Sequence, residues 1–290
     1  MLSKQPDTVL VVPRQTLREK LLTAGLQVSG SLSYRTTVQH AVATIAHLKT
    51  MAPDVIFLCT KTFNLIDVLE EIANIFQPGM KIVSTHNGLG TEDVIADRFG
   101  AGAALRMTLN YGASVKGPGE VETAFFNRPN HLGALTADNR EVGVQIADLL
   151  TSCGLDTQCV DDIKLSVWKK MVMKCTMAPI CAVTNKTIKE ALDFPPTREV
   201  AEVCFREALS VAQAMGYELG PAYLTQAMSY LEKVGIHKDS MCHDIAHRRP
   251  TEIDFLGGKV VEYARLTGVP TPFYVVMTNM VKAIEDNFAR

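Results

Sequence analysis

The sequence lacks the features that nucleic-acid-binding, secreted and membrane proteins need. Lysine and arginine number 29 against 31 acidic residues, so no positive excess is available to neutralise the phosphates of a nucleic acid. No run of about 18 uncharged apolar residues occurs, which predicts that no segment spans a membrane. The first residues, MLSKQPDTVLVVPRQ, contain no apolar stretch long enough for a signal peptide.

Cysteines are few and irregularly placed. There are seven, an odd number, and no two have C-x-x-C spacing, which excludes a zinc ribbon and a secreted disulfide framework. We therefore expect reduced thiols in a cytoplasmic protein. At about 150 residues per domain, a chain of 290 residues predicts two domains.

The hydrophobic pattern changes near residue 161. Before it, short apolar runs alternate with helical periods, and the run DVIFLCT (54–60) is typical of a strand buried within a parallel sheet. After it, the strand signals stop and every long segment has helical period. We therefore predict a Rossmann-type α/β domain over 1–160 and an all-helical domain over 161–290.

The expected dinucleotide fingerprint is missing. A G-x-G-x-x-G turn should follow the first strand, yet only six residues precede Asp7 and none is glycine. Gly88-Leu-Gly90 imitates the motif, but Asp93 stands at its third position, and a tight turn explains it better. If 9–14 is the second strand of the fold, the sheet domain is N-terminally incomplete. That strand must then close up on 54–60, pair with another chain or leave backbone groups unpaired.

Four stretches carry a resemblance to a known family: DVIFLCTK (54–61), HNGLGTED (86–93), WKKMVMKCTMAPICAVTN (168–185) and SMCHDIAHRRPTEIDFLGG (240–258). In this order and spacing, the chain resembles the ketopantoate reductases (2-dehydropantoate 2-reductases) from about residue 9 onward. The resemblance implies NADPH-dependent reduction of a branched 2-oxo acid, by default 2-dehydropantoate in pantothenate biosynthesis. It implies a small-molecule substrate, and it leaves a homodimer open. The missing glycine turn is the largest departure from the family.

The resemblance also assigns roles to single residues. Lys170 matches the family's catalytic lysine, which would donate a proton to the alkoxide, and Glu252 matches a glutamate that orients substrate or lysine. An ordinary acid in the first turn of a helix is the alternative for Glu252. The implied cofactor contacts are Arg14, Lys61 and Asn87, where Arg14 follows the strand at which a base can accept the 2′-phosphate of NADP. The implied substrate contacts are Lys174, His237 and Ser240.

Three positions depart from the family's pattern, because Lys174, Ala178 and His237 stand where asparagines are usual. We expect that ketopantoate is not the best substrate, since the cation of Lys174 could serve the second carboxylate of another 2-oxo acid. A catalytically impaired member that binds cofactor weakly is the other hypothesis. His243 and His247 have the spacing of a zincin helix, with His237 or Cys242 as the candidate third ligand, and a metal hydrolase is the third hypothesis. Because no fitting third ligand is set at helical spacing, we expect a solvated helix face and no metal.

Overall fold

The computed structural model describes residues 7–236 and 238–288 and divides into two compact units. The first unit contains the chain through Cys59, together with Leu65–Thr85 and Glu92–Ile163. The second contains Thr60–Asn64, His86–Thr91 and the chain from Lys164 onward. Two short segments that directly follow strands of the first unit therefore belong to the second.

The first unit contains eleven strands in its described part. In chain order they are β1 (Val9–Val11), β2 (Leu26–Gly30), β3 (Tyr34–Thr36), β4 (His40–Val42), β5 (Val55–Leu58), β6 (Lys81–Ser84), β7 (Ala104–Thr108), β8 (Tyr111–Gly117), β9 (Glu120–Phe126), β10 (Asn130–Ala134) and β11 (Thr157–Cys159). The helices that accompany them are α1 (Gln15–Ala24), α2 (Leu65–Ala73), α3 (Thr91–Phe99) and α4 (Arg140–Ser152).

The main sheet has five strands in the order β11-β10-β7-β6-β5. β5, β6 and β7 are parallel, β10 runs antiparallel to β7, and β11 is parallel to β10. Apolar side chains of the sheet and of α4 form its core, and they are Val83, Leu105, Met107, Leu132, Ile146 and Leu150. The predicted α/β architecture is confirmed, and its parallel strands read as apolar runs because their side chains are covered.

β5 lies at the edge of this sheet, which corrects the expectation of a strand buried throughout. Only Leu58 of β5 is fully buried, while Val55, Ile56 and Phe57 are half-buried. The reason is that β5 pairs with β6 and, among the described residues, with no other strand. β1 pairs instead with β4, in a separate parallel pair. The strands β1 and β5 have therefore not closed up on each other.

A third sheet, with the order β3-β2-β9-β8, was not predicted as such. The sequence pattern indicates one strand over 103–115, and the structure breaks it into β7 and β8. β8 and β9 form an antiparallel hairpin with register shifts near Gly112 and Gly117. The strands of this sheet are short or mix polar and apolar residues, so they lack the period that identifies a strand from sequence.

The second unit is helical, as predicted. Its helices are α5 (Ile163–Thr184, whose first residue still belongs to the first unit), α6 (Ile188–Asp193), α7 (Pro195–Ala214), α8 (Tyr223–Val234), α9 (Ser240–Ala246), α10 (Gly257–Thr267) and α11 (Pro272–Asp286). The buried ring of Trp168 on α5 stacks on Tyr217 at 5.8 Å between centroids and lies 5.9 Å from Tyr263. In the described part of the chain, no helix combines the length and apolar character needed to cross a membrane.

Candidate active site

The second unit brings Lys170 to the segment that follows β6. Lys170 lies near the middle of α5 and is half-buried, and its Nζ donates a hydrogen bond to Asn87 Oδ1 at 2.8 Å. The segment around Asn87 is held at both ends, because Leu89 N donates to Phe255 O at 2.9 Å and the His86 ring lies 3.2 Å from Thr60 Oγ1. A lysine ammonium is thus directed onto a fixed amide oxygen.

Lys61 is held between two carboxylates. Its Nζ donates to Asp244 Oδ2 at 2.6 Å and lies 3.7 Å from Glu252 Oε2. Glu252 is buried, and its Oε1 accepts a hydrogen bond from the backbone N–H of Thr62 at 3.0 Å. Glu252 therefore fixes the segment that follows β5, and its other oxygen faces Lys61.

Lys174 stands one helical turn after Lys170 and forms a second cluster. Its Nζ donates to Asp239 Oδ2 at 2.5 Å and to Ser240 Oγ at 2.9 Å. Asp239 also caps α9, because its Oδ1 accepts from Met241 N at 2.9 Å. Burial lowers the pKa of Lys174, but the Asp239 charge, the hydrogen bond to Asp239 and the Glu252 charge together raise the pKa above its ordinary value.

Asp239 and Asp244 are the two site residues that sequence reasoning missed. Asp244 lies four residues after Ser240 on α9, so the two side chains occupy one face of that helix. This spacing is the signal that could have identified Asp244. Asp239 gives only the ordinary signal of an N-cap residue before a helix.

The structure places the remaining predicted residues elsewhere or leaves them outside its description. Arg14 belongs to the first unit, where its exposed side chain stands at the start of α1, directly after the strand segment of β1. His237 lies outside the described residues. Ala178 is fully buried in α5 and Ser240 is exposed at the first position of α9. The roles assigned to these side chains stay predictions.

The glycines of the 88–90 turn are required by packing. A Cβ on Gly88 would approach Phe255 Cβ to 2.9 Å, and Gly90 has a φ of 73° with the Tyr263 hydroxyl 2.6 Å from its Cβ position. Both contacts come from the protein's own side chains. The interpretation of this motif as a tight turn is confirmed.

The histidines of α9 show no metal-binding arrangement. The exposed His247 ring lies 2.7 Å from the His243 carbonyl oxygen through Nδ1. Within residues 7–236 and 238–288, no three histidine, cysteine or acidic side chains converge as metal ligands do.

The charges of the site balance. Three lysines, at 61, 170 and 174, meet three carboxylates, at 239, 244 and 252. Ion pairs join Lys61 to Asp244 and Glu252, and Lys174 to Asp239. Lys170 donates to an amide oxygen. An ammonium in this setting can transfer a proton to an oxyanion that forms within hydrogen-bond distance.

Comparisons with known proteins show which family the chain is similar to. The family model described as Ketopantoate reductase PanE/ApbA matches residues 1–137, and the model of the PanE/ApbA C terminal matches residues 162–285. A 2-dehydropantoate 2-reductase of Streptococcus pyogenes serotype M3 is 31% identical over 238 residues, which cover 81% of this chain and 77% of the relative.

Two solved structures share the fold. A D-mandelate dehydrogenase with NADH and anilino(oxo)acetate has a TM-score of 0.88 at 23% identity, covering 99% of this chain and 94% of that one. A dimeric ketopantoate reductase from Staphylococcus aureus has a TM-score of 0.70 at 21% identity, covering 81% of this chain and 78% of that one.

Proposed function

Because the chain belongs to the ketopantoate reductase family, we propose that it reduces 2-dehydropantoate to pantoate with a nicotinamide dinucleotide as the hydride donor. The observation that carries this proposal is the 2.8 Å hydrogen bond from Lys170 Nζ to Asn87 Oδ1. It holds an acid group beside Asn87, in the segment that follows a parallel strand, and such segments bind ligands in folds of this kind.

Lys170 is the proton donor in this proposal. As the ketone becomes an alkoxide, the ammonium of Lys170 passes one proton to that oxygen, while Asn87 keeps the amine directed. A nicotinamide held beside these residues would supply the hydride to the keto carbon. Lys61 is paired with Asp244 and Glu252, so its role in this proposal is to fix the segment that follows β5 beside the bound ligand.

The described residues fit one end of a dinucleotide. Asn87 and Lys61 follow β6 and β5, where the nicotinamide of such a cofactor would lie. The 88–90 turn does not offer a pyrophosphate cradle, because Phe255 and Tyr263 occupy the space beside its glycines. We propose NADP in preference to NAD, and the exposed Arg14 after β1 supports this choice as a partner for the 2′-phosphate.

The proposal is tested by assaying the purified chain for consumption of NADPH and of NADH. The substrates are 2-dehydropantoate, an unbranched 2-oxo acid and the dicarboxylic 2-oxoglutarate. We expect turnover with 2-dehydropantoate and NADPH. The absence of turnover with every 2-oxo acid and both cofactors would contradict the proposal and favour the catalytically impaired alternative.

We also propose that the protein forms a homodimer through α11. Phe273, Val276 and Met280 are 42%, 55% and 44% exposed, and their spacing places them on one face of that helix. The exposed Ala283 continues this face, and none of the four residues is charged. A surface of this kind suits a second copy of itself, and the S. aureus protein is described as dimeric.

A cytoplasmic location is proposed from the thiols. All seven cysteines are free, and five of them are buried. Burial raises the pKa of the Cys204 thiol to about 12, so this thiol stays protonated at neutral pH. Unpaired thiols of this kind suit a reducing compartment.

A further inference from the structure

The ammonium of Lys174 is already bound by side chains of the protein. The side chain is 17% exposed, and the Asp239 carboxylate that pairs with it is 8% exposed. Asp239 uses its other oxygen to accept the Met241 N–H at the start of α9. Asp239 cannot turn away from Lys174 without releasing this cap, so the pair is fixed from both sides.

We propose that Lys174 and Asp239 form a positioning pair, which aims the Ser240 hydroxyl as a hydrogen-bond donor at the carboxylate of a monocarboxylic 2-oxo acid. This inference rests on the proposed reductase function and on the substrate contact that the family resemblance implies for Ser240; the positioning role of Lys174 and Asp239 is the new part. It assigns Lys174 an indirect role, in contrast to the sequence-based hypothesis that its charge binds a second carboxylate of the substrate.

The direction of the hydrogen bond between Lys174 and Ser240 determines what the Ser240 hydroxyl can still donate to. An ammonium has donors only, so in its 2.9 Å contact with Lys174 the Ser240 oxygen is the acceptor. The single hydroxyl proton of Ser240 then remains for another acceptor, and Ser240 is exposed at the first position of α9. A cation bound to the oxygen also polarises the O–H bond and strengthens it as a donor to an anion.

The pairing also predicts selectivity. The Asp239 charge neutralises that of Lys174, so a second substrate carboxylate would have to displace a buried carboxylate that is tied to α9. Displacement would leave Asp239 buried without its cation, which is unfavourable. A dicarboxylic 2-oxo acid is therefore rejected, although Lys174 looks from the sequence like a site for it.

The test compares steady-state constants of four variants: S240A, K174M, K174M/S240A and D239N. S240A and K174M should each raise the KM for 2-dehydropantoate about tenfold, since a hydrogen bond to a charged group is lost, and should change kcat far less. The double variant should be no worse than S240A alone, because Lys174 acts through Ser240. Independent, multiplying losses, or a fall in kcat at unchanged KM, would overturn the proposal.

D239N supplies a gain-of-function readout. The amide keeps an acceptor for Met241 N but removes the competing charge, so Lys174 becomes able to bind a second carboxylate. The ratio of kcat/KM for 2-oxoglutarate to that for 2-dehydropantoate should rise at least tenfold. An unchanged ratio, or a wild-type preference for the dicarboxylate, contradicts the positioning pair.

Two controls distinguish a loss of the Lys174–Ser240 contact from a general loss of stability or activity. Lys169 lies beside Lys170 on α5 with its side chain exposed, and K169A should leave both constants unchanged. If K174M has a lower melting temperature than wild type by circular dichroism, the variant K174M/D239N is used, because it removes both charges of the pair. It should keep the raised KM for 2-dehydropantoate.

Pantoate binding tests the positioning pair even if the chain shows no turnover. Pantoate affinity is read from the fluorescence of Trp168, the single tryptophan of the chain. A wild type that binds pantoate but does not turn over contradicts the proposed function alone. Equal pantoate affinity in wild type and S240A, or no pantoate binding at all, overturns the positioning pair.

Discussion

The Glu252 carboxylate accepts a hydrogen bond from the backbone N–H of Thr62, a residue 190 positions earlier in the chain. Both residues are buried, and the second Glu252 oxygen faces Lys61 at 3.7 Å. The segment Thr60–Asn64 is thereby fastened to the helical part of the second unit. The carboxylate assigned to catalysis by resemblance thus has a clear structural function.

Glu252→Ala is expected to lower the free energy of unfolding by about 1–3 kcal/mol, because the Thr62 N–H is left buried without its acceptor. Glu252→Gln retains an acceptor oxygen and should lose less. Denaturant unfolding followed by circular dichroism measures both values. Equal losses for the two variants would contradict the assignment of the Thr62 bond as the main contribution.

Removal of the proton donor should affect chemistry more than folding. Lys170→Ala is expected to lower kcat at least 10²-fold, within the range of 10²–10⁴ that a positioned acid contributes. Lys169→Ala is the matched control, since the neighbouring lysine is exposed and its backbone oxygen, which accepts from the Tyr223 hydroxyl, is retained. Near-normal turnover of Lys170→Ala, measured by NADPH consumption, would remove Lys170 from the mechanism.

Much of the architecture could be predicted from local pattern. Apolar runs separated by helical periods indicate parallel strands, and Lys170 and Lys174 are neighbours on α5 because they stand four residues apart. The edge position of β5 could not be predicted, because its apolar run resembles that of an inner strand. Burial of a strand depends on what lies beside it, which its own sequence does not record.

The lysine partners of the acidic site residues could not be predicted for a similar reason. Asp239 meets Lys174 across 65 positions, and Asp244 meets Lys61 across 183. No short motif links residues that far apart, so the pattern of α9 alone shows an N-cap and an ordinary polar face. The sequence therefore suggested a surplus cation at Lys174 where the fold supplies a matching carboxylate.

A buried ion pair in the first unit gives a test of stability. Arg106 on β7 is fully buried, its Nε lies 3.4 Å from Glu92 Oε2, and its Nη1 donates to Ser84 Oγ at 2.8 Å. Glu92→Leu alone should lower the free energy of unfolding by about 3–5 kcal/mol, because a buried guanidinium loses its carboxylate. Glu92→Leu with Arg106→Leu should recover much of that loss in a double-mutant cycle. Additive losses would show that the two charges do not stabilise each other.

The proposed dimer makes a prediction about α11. Val276→Glu places a charge in the exposed apolar face and should shift the protein from dimer to monomer in light scattering coupled to gel filtration. Leu266→Glu is the control, because Leu266 is 73% exposed on α10, outside that face. A wild-type chain that is monomeric at all concentrations would contradict the proposal, as would a Val276→Glu variant that remains dimeric.

The proposed preference for NADP over NAD depends on a contact between Arg14 and the 2′-phosphate. Arg14 stands directly after the β1 segment with its side chain exposed, so its guanidinium is available to a phosphate. Arg14→Ala should reduce kcat/KM for NADPH relative to NADH about tenfold or more, the value of one hydrogen-bonded charge contact, and should leave kcat/KM for NADH nearly unchanged. Lys20→Ala removes another exposed cation from α1 and serves as the control for net charge.

The comparison is repeated at higher salt, where the effect of Arg14 should shrink because exposed charges are screened. An equal loss with both cofactors would mean that Arg14 does not read the 2′-phosphate.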